Sequence, residues 1–153
     1  MKSTEKKQET FVYEGLGFPV KLIDCPMKKI IGEWVIDINL AALQRFVFHG
    51  LIHKPCPLTG KELRFMRKFL GMSTTEFGEK VGVSHAAVVK WEKEQAQMSP
   101  AQESYMRLFL CECFRDSELL RIYREIRPEM LAKAEKKPVP YQVNVKDLQA
   151  ANF

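Results

Sequence analysis

The spacing of apolar residues changes along the chain, and the first pattern is that of short strands. Residues 11–39 contain brief apolar runs broken by glycine and proline, which predicts a small antiparallel β-meander. In the last run, large apolar residues alternate with Glu33, Val35 and Asp37 and should share one strand face. Those large residues are Trp34, Ile36 and Ile38.

A helix is predicted next, over LAALQRFVFHGLI, with Asn39 as its N-cap. Leu43, Phe46 and Val47 recur near one turn apart, so this helix could cover the strand face. In the following segment, KPCPLTG, two prolines exclude helix and predict a boundary.

Several short helices are predicted from residue 59 onward, because capping residues recur before apolar periodic segments. The predicted starts are Thr59 with Glu62, Ser73 with Glu76, Ser84, and Ser99 followed by Pro100. A further helix, SELLRIYREIRPEMLAKAE, should kink or break at Pro128. The final residues look extended.

The helix expected after Ser84 leaves a small, partly basic surface exposed. Val88 and Trp91 point toward a core shared by three helices, and Gly82 allows the left-handed turn before the helix. Slim side chains let such a helix enter the DNA major groove, and its first amides can meet a phosphate. The predicted contacts on this surface are Ser84, His85, Ala86, Ala87, Lys90 and Lys93, with Trp91 and Gly82 structural.

Residues 59–100 resemble the Xre/Cro-type helix-turn-helix domain of bacterial and phage repressors, which commonly reads LRxxRxxxGLSQxxLAxxLGVSxxxxxxWExG. Matching residues are Leu63, Arg64, Arg67, Gly71, Met72, Ser73, Phe77, Gly78, Val81, Gly82, Val83, Ser84, Trp91 and Glu92. The resemblance implies a structural ion pair between Arg67 and Glu92. It also implies that Thr74, together with Thr75, positions the DNA backbone.

Three departures from the family pattern affect the expected geometry. Thr74 replaces a frequent phosphate-holding Gln, and Gly78 replaces a frequent Ala. The glycine that often follows the Trp-Glu pair is absent, and Lys93-Glu94-Gln95 stands there instead. The third helix is therefore expected to run slightly longer.

The predicted fold class is mainly α with a small β-containing N-terminal unit and a five-helix Xre/Cro-like bundle. The predicted divisions are a disordered leader (1–10), a β-containing unit with one helix (11–54), a helix-turn-helix domain with dimerisation helices (55–137) and an extended tail (138–153). This order also resembles MqsA-type antitoxins, whose first domain usually holds zinc through two CxxC pairs. Neither pair occurs in this chain.

Charge favours an anionic partner, and the lack of a recognisable targeting segment favours the cytoplasm. The chain has 24 Lys and Arg against 19 Asp and Glu, a net charge of +5 and a pI of about 9.0. We recognise no signal peptide or membrane span in the sequence, so no membrane partner is expected. No catalytic motif has convincing spacing, and we expect neither enzyme activity nor a cofactor.

The cysteines, which form no CxxC pair, are expected to be free thiols acting as small apolar residues. Cys111 is assigned to the core and Cys113 to the surface. A metal sensor built from Cys25, His49, His53 and Cys56 is an alternative, but Gly50 and the prolines indicate that the helix has ended there. No metal is therefore expected.

The leading hypothesis is a sequence-specific transcriptional repressor that binds a palindromic double-stranded DNA operator of its own operon as a homodimer. Lys90 and His85 would read bases. The dimer interface is assigned to late apolar residues, Leu108, Phe109, Leu119, Leu120, Ile122 and Tyr123.

Three further hypotheses about the function of the chain stay open. As the antitoxin of a type II pair, the chain would also bind a cognate toxin protein. Its N-terminal unit or its tail would do so, since Tyr141, Val143 and Val145 alternate with polar residues and could add a strand to another chain. A plain phage-type repressor would need no such surface. A protein-binding adaptor would have lost DNA binding altogether.

Overall fold

A computed structural model describes residues 5–114, 131–132 and 140–150. Two compact units are present, Met1–Val47 with Val139–Phe153, and Phe48–Pro138. The elements are β1 (Lys6–Tyr13), β2 (Val20–Ile30), β3 (Glu33–Ile36), α1 (Leu40–Ile52), α2 (Gly60–Phe69), α3 (Thr74–Val81), α4 (His85–Glu92), α5 (Pro100–Cys113), β4 (Tyr141–Asn144) and α6 (Val145–Ala150).

The predicted fold class is wrong. The described residues form one four-stranded mixed sheet and six helices, so the protein is an α/β fold and not a mainly α five-helix bundle. The error arose at the two ends of the chain, where segments expected to be unstructured form strands.

The sheet is organised around β2, its longest strand. β1 pairs antiparallel with β2 from Lys6↔Lys28 to Tyr13↔Val20. On the opposite edge of β2, β3 pairs antiparallel with Met27–Ile30 and β4 pairs parallel with Val20–Ile23. The predicted β1–β2–β3 meander is thus confirmed, and β4 is added from the far end of the chain.

The leader predicted to be disordered contributes five of the eight residues of β1, residues 6–10. All of its described residues are exposed, so no apolar alternation marks them in the sequence. Backbone pairing with β2 stabilises this stretch instead. A bulge between Glu9 and Phe11 brings Thr10 to Asp24, whose N–H donates to Thr10 Oγ1 at 3.0 Å.

The described part of the tail, residues 140–150, contains a strand of the protein's own sheet followed by a short helix. Val143 on β4 is 1% exposed, and α6 follows with Val145 and Leu148 buried. Because β3 pairs only with the second half of β2, the first half of that edge is open to β4. A long-range pairing of this kind leaves no local sequence signal.

Trp34 lies outside the core, contrary to the prediction. It is 36% exposed, and Lys7 Nζ lies 4.4 Å from its ring centroid in a cation–π contact. At the tip of the β2–β3 hairpin, Ile31 adopts φ 50° beside Gly32 at φ 78° and is almost fully exposed. The hairpin end of the sheet therefore presents large apolar side chains to solvent.

The core of the first unit comes from the middle of the sheet and from the helices. Buried residues are Leu16, Phe18, Val20, Leu22, Cys25, Met27, Leu43, Val47, Val143, Val145 and Leu148. Asn39 caps α1 as predicted, with its Oδ1 accepting from Ala42 N at 3.1 Å.

In the second unit, all four predicted capping residues begin helices. Thr59, Ser73, Ser84 and Ser99 each accept a hydrogen bond from the backbone N–H three residues later, at 3.1–3.2 Å. The helices bury Leu63, Met66, Phe77, Val88, Trp91, Met106 and Leu110. The predicted surface and core assignments of Cys113 and Cys111 are also confirmed.

A fully buried arginine holds the proline-containing segment predicted as a boundary. Arg107 donates to Glu103 Oε2 and to the carbonyls of Ile52, Lys54 and Cys56. Burial lowers the pKa of Arg107, and Glu103 opposes that shift. These bonds satisfy carbonyls at the end of α1 and tie the segment into the second unit.

Candidate nucleic-acid interface

The helix-turn-helix is formed by α3, a left-handed glycine and α4. Gly82 has φ 78°, and Val83 N donates to Gly78 O at 2.8 Å. A Cβ placed on Gly78 would lie 2.7 Å from Val83 O, which is closer than real contacts allow. The absence of a side chain at Gly78 therefore sets how tightly the turn packs on α3.

The predicted core and surface residues of α4 lie where the sequence indicated. Val88 and Trp91 are buried, and the exposed residues are Ser84, His85, Ala86, Lys90 and Lys93, with Ala87 half-buried. The exposed surface therefore combines small side chains near the helix N-terminus with Lys90 in the second half of α4 and Lys93 directly after it.

The first residues of α3 approach the first residues of α4. Thr74 Oγ1 lies 3.3 Å from His85 Nδ1, within hydrogen-bond distance, and Thr75 is exposed. A hydroxyl and an imidazole thus stand side by side where two helices begin. Either group can donate to an oxyanion, and the partial positive charge of the helix N-termini adds to the attraction.

Arg67 and Glu92 form the ion pair that the resemblance implies. Arg67 Nε and Nη2 donate to the two carboxylate oxygens of Glu92 at 2.7 and 2.9 Å, and Nη1 donates to Met72 O at 2.8 Å. Hydrogen bonding to Glu92 raises the pKa of Arg67, although burial opposes this. The pair joins the last turn of α2, the α2–α3 loop and the last residue of α4.

The expectation of a longer third helix is wrong, because α4 ends at Glu92. Glu94 has φ 58°, the left-handed conformation that glycine adopts readily, and its side chain accepts a hydrogen bond from Gly60 N. A Cβ on Gly60 would lie 2.4 Å from Glu92 O. The start of α2 therefore abuts the end of α4, and Glu94 bridges them.

Sequence reasoning missed Arg64 as a candidate DNA contact. With Lys93 it lines an open cleft of about 300 Å³, beside Val89 and the Arg67–Glu92 pair. Both Arg64 and Lys93 are exposed. Residue 64 matches the family pattern and follows the apolar Leu63, but its place beside the end of α4 appears only in the folded chain.

The two histidines proposed as metal ligands lie close together at the end of α1, with His53 just past its last residue. α1 continues to Ile52, beyond Gly50, and the rings of His49 and His53 lie 4.9 Å apart. Over the described ranges, however, no three His, Cys, Asp or Glu side chains converge in a way that could hold a metal ion.

The proposed dimerisation residues Leu119, Leu120, Ile122 and Tyr123 lie outside the described residues, whereas Leu108 and Phe109 on α5 are half-buried. None of the described helices combines the length and apolar character needed to cross a bilayer. Comparisons with protein-family models, curated proteins and solved structures found no match.

Proposed function

We propose that this protein is a sequence-specific DNA-binding repressor that inserts α4 into the major groove. The observation that supports this most directly is the exposed surface of α4, with slim residues at its start and Lys90 in its second half. Small side chains allow close approach to base edges, and Lys can donate to guanine O6 and N7.

The bonds around α4 support this proposal because base readout needs a helix held in one position. Ser84 caps its start, Gly78 admits its turn, and Arg67 holds its last residue. A helix restrained at both ends loses little further freedom on binding.

Phosphate contacts would come from residues on both sides of the recognition surface. Ser84, Thr74 and Thr75 stand where α3 and α4 begin, while Arg64 and Lys93 flank the far end of α4. Contacts of this type fix the register of the protein on the duplex without reading sequence.

The proposed assembly is a homodimer on a palindromic operator in its own operon. One eight-residue recognition helix spans few base pairs, so a two-fold axis would double the recognised sequence. The adaptor alternative predicts instead that random-site selection enriches no sequence.

The test uses random-site selection followed by gel shift with Lys90→Ala. Loss of a base contact costs about 1–3 kcal/mol, so operator affinity should fall by roughly 5- to 150-fold and base preference should relax at one position. Lys80→Ala is the matched control, since Lys80 is exposed on α3 and lies near Cys113 at the end of α5. Equal affinity of the two variants at fixed salt would contradict the assignment of Lys90.

A further inference from the structure

A cleft in the second unit reaches the inner side of the recognition helix. It has a volume of about 430 Å³, within the usual range for small-molecule sites. Its walls come from the segment before α2 and the start of α2, the end of α4, the loop after α4, the start of α5, and residues 131–132. Leu58, Leu63 and Trp91 supply apolar surface.

One buried carboxylate lines this cleft. Glu103 is only 3% exposed, and each hydrogen bond that the structure gives it within the described residues goes to Oε2. The donors are Leu58 N, Arg107 Nε and Arg107 Nη2, at 2.6–3.1 Å. Oε1 is therefore left to accept from a group inside the cleft.

These walls define the chemistry of an occupant. An apolar body would lie against Trp91 and the leucines, and a hydrogen-bond donor would meet Glu103 Oε1. An ammonium group suits a carboxylate oxygen better than a neutral donor, because the bond is charge-assisted. A carboxylate-bearing molecule of the same size would be repelled.

Occupancy of the cleft would act on α4. Trp91 lines it, and so does Gly60, which abuts the carbonyls of Trp91 and Glu92. Glu92 in turn is held by Arg67. A ligand that fills the cleft in this arrangement stabilises the position of α4 and, by linkage, its binding to DNA.

We propose that this cleft is an effector site for a small apolar amine, held by Glu103 and Trp91, that strengthens operator binding. The regulatory part rests on the proposed DNA-binding function, whereas ligand binding can be measured without DNA.

The binding test uses three probes of similar size, 2-phenylethylamine, 3-phenylpropanoate and propylbenzene. Trp34→Phe leaves Trp91 as the sole tryptophan, so its emission reports on the cleft. The amine should change this emission and raise the melting temperature. Its affinity should exceed that of propylbenzene by about tenfold, as expected for a charge-assisted bond, and the propanoate should not bind.

Ala96→Phe is the decisive variant, because residue 96 lines the cleft without contacting Glu103 in the described bonds. It should abolish amine binding, and Ala101→Phe, exposed on α5, should leave it intact. No amine binding, equal binding of the three probes, or unchanged binding by Ala96→Phe would each overturn the site. An amine that binds but leaves operator affinity unchanged would overturn the regulatory role alone.

Discussion

Replacing Arg67 by Met should destabilise the second unit strongly. The side chains of Arg67 and Glu92 are only 10% and 8% exposed, and three hydrogen bonds hold the guanidinium. Met keeps the apolar stem but leaves Glu92 buried without its counter-charge and Met72 O without its donor. Breaking such a pair costs about 3–5 kcal/mol, and residual exposure places this case near 3 kcal/mol.

Urea unfolding of the Trp34→Phe protein, followed by Trp91 emission, measures this cost within the second unit. If the free energy of unfolding falls by about 1.5 kcal/mol per molar urea, the urea midpoint of Arg67→Met should be roughly 2 M lower than that of the parent. The dependence on urea concentration should be unchanged. The Arg67→Met, Glu92→Met double variant removes both charges. The double variant should therefore be more stable than either single variant. Its loss of unfolding free energy should be about 2 kcal/mol smaller than the sum of the two single losses.

Two results would refute this account of the pair. One is a cost below about 1 kcal/mol for Arg67→Met, the range of an exposed ion pair. The other is a double variant whose loss equals the sum of the single losses, because independent sites add.

Four further predictions concern other positions. Gly78→Ala gains about 1 kcal/mol of helix propensity but must displace Val83 O, so it should still lower the urea midpoint and weaken operator binding. A raised midpoint would contradict the close turn. Ile31→Asn should stabilise the first unit by about 1 kcal/mol in calorimetry, since Asn tolerates φ 50° better than a β-branched residue. Arg107→Met should lower the free energy of unfolding by about 3–5 kcal/mol in the urea assay, because Glu103 and three carbonyls lose their buried donor. An unchanged urea midpoint would rule out this structural role of Arg107. Burial, and then the charge of Asp37, raise the pKa of Cys25. The unfolded thiol therefore ionises first, and stability should fall as pH rises beyond about 8.5. Cys25→Ala should flatten that alkaline decline in pH-dependent unfolding.

Local interactions explain what could be predicted from the sequence. The helix starts at Thr59, Ser73, Ser84 and Ser99 depend on hydrogen bonds between residues three positions apart. Both partners of each bond are therefore visible in the local sequence. The burial of Val88 and Trp91 follows from helical periodicity in the same way.

Long-range interactions account for the features that could not be predicted from the sequence. Residues 6–10 of β1 were assigned to a disordered leader because their side chains are polar on both sides of the strand. β4 was missed because its partner lies about 120 residues earlier. The same holds at the candidate interface, where Arg64 and Lys93 line one cleft only after α2 and α4 have packed. Glu94 illustrates another feature that is hard to predict from sequence. This non-glycine residue adopts the left-handed conformation, and its carboxylate accepts a hydrogen bond from Gly60 N.

The pairing of β4 with β2 has a consequence for how the chain folds as it is made. Because β4 follows the second unit in sequence, the ribosome releases it only after that unit has been synthesised. Until then the Val20–Ile23 edge of β2 has no partner, and an open edge can pair with a neighbouring nascent chain. Translation that stops before residue 141 should therefore yield a product that aggregates through its first unit.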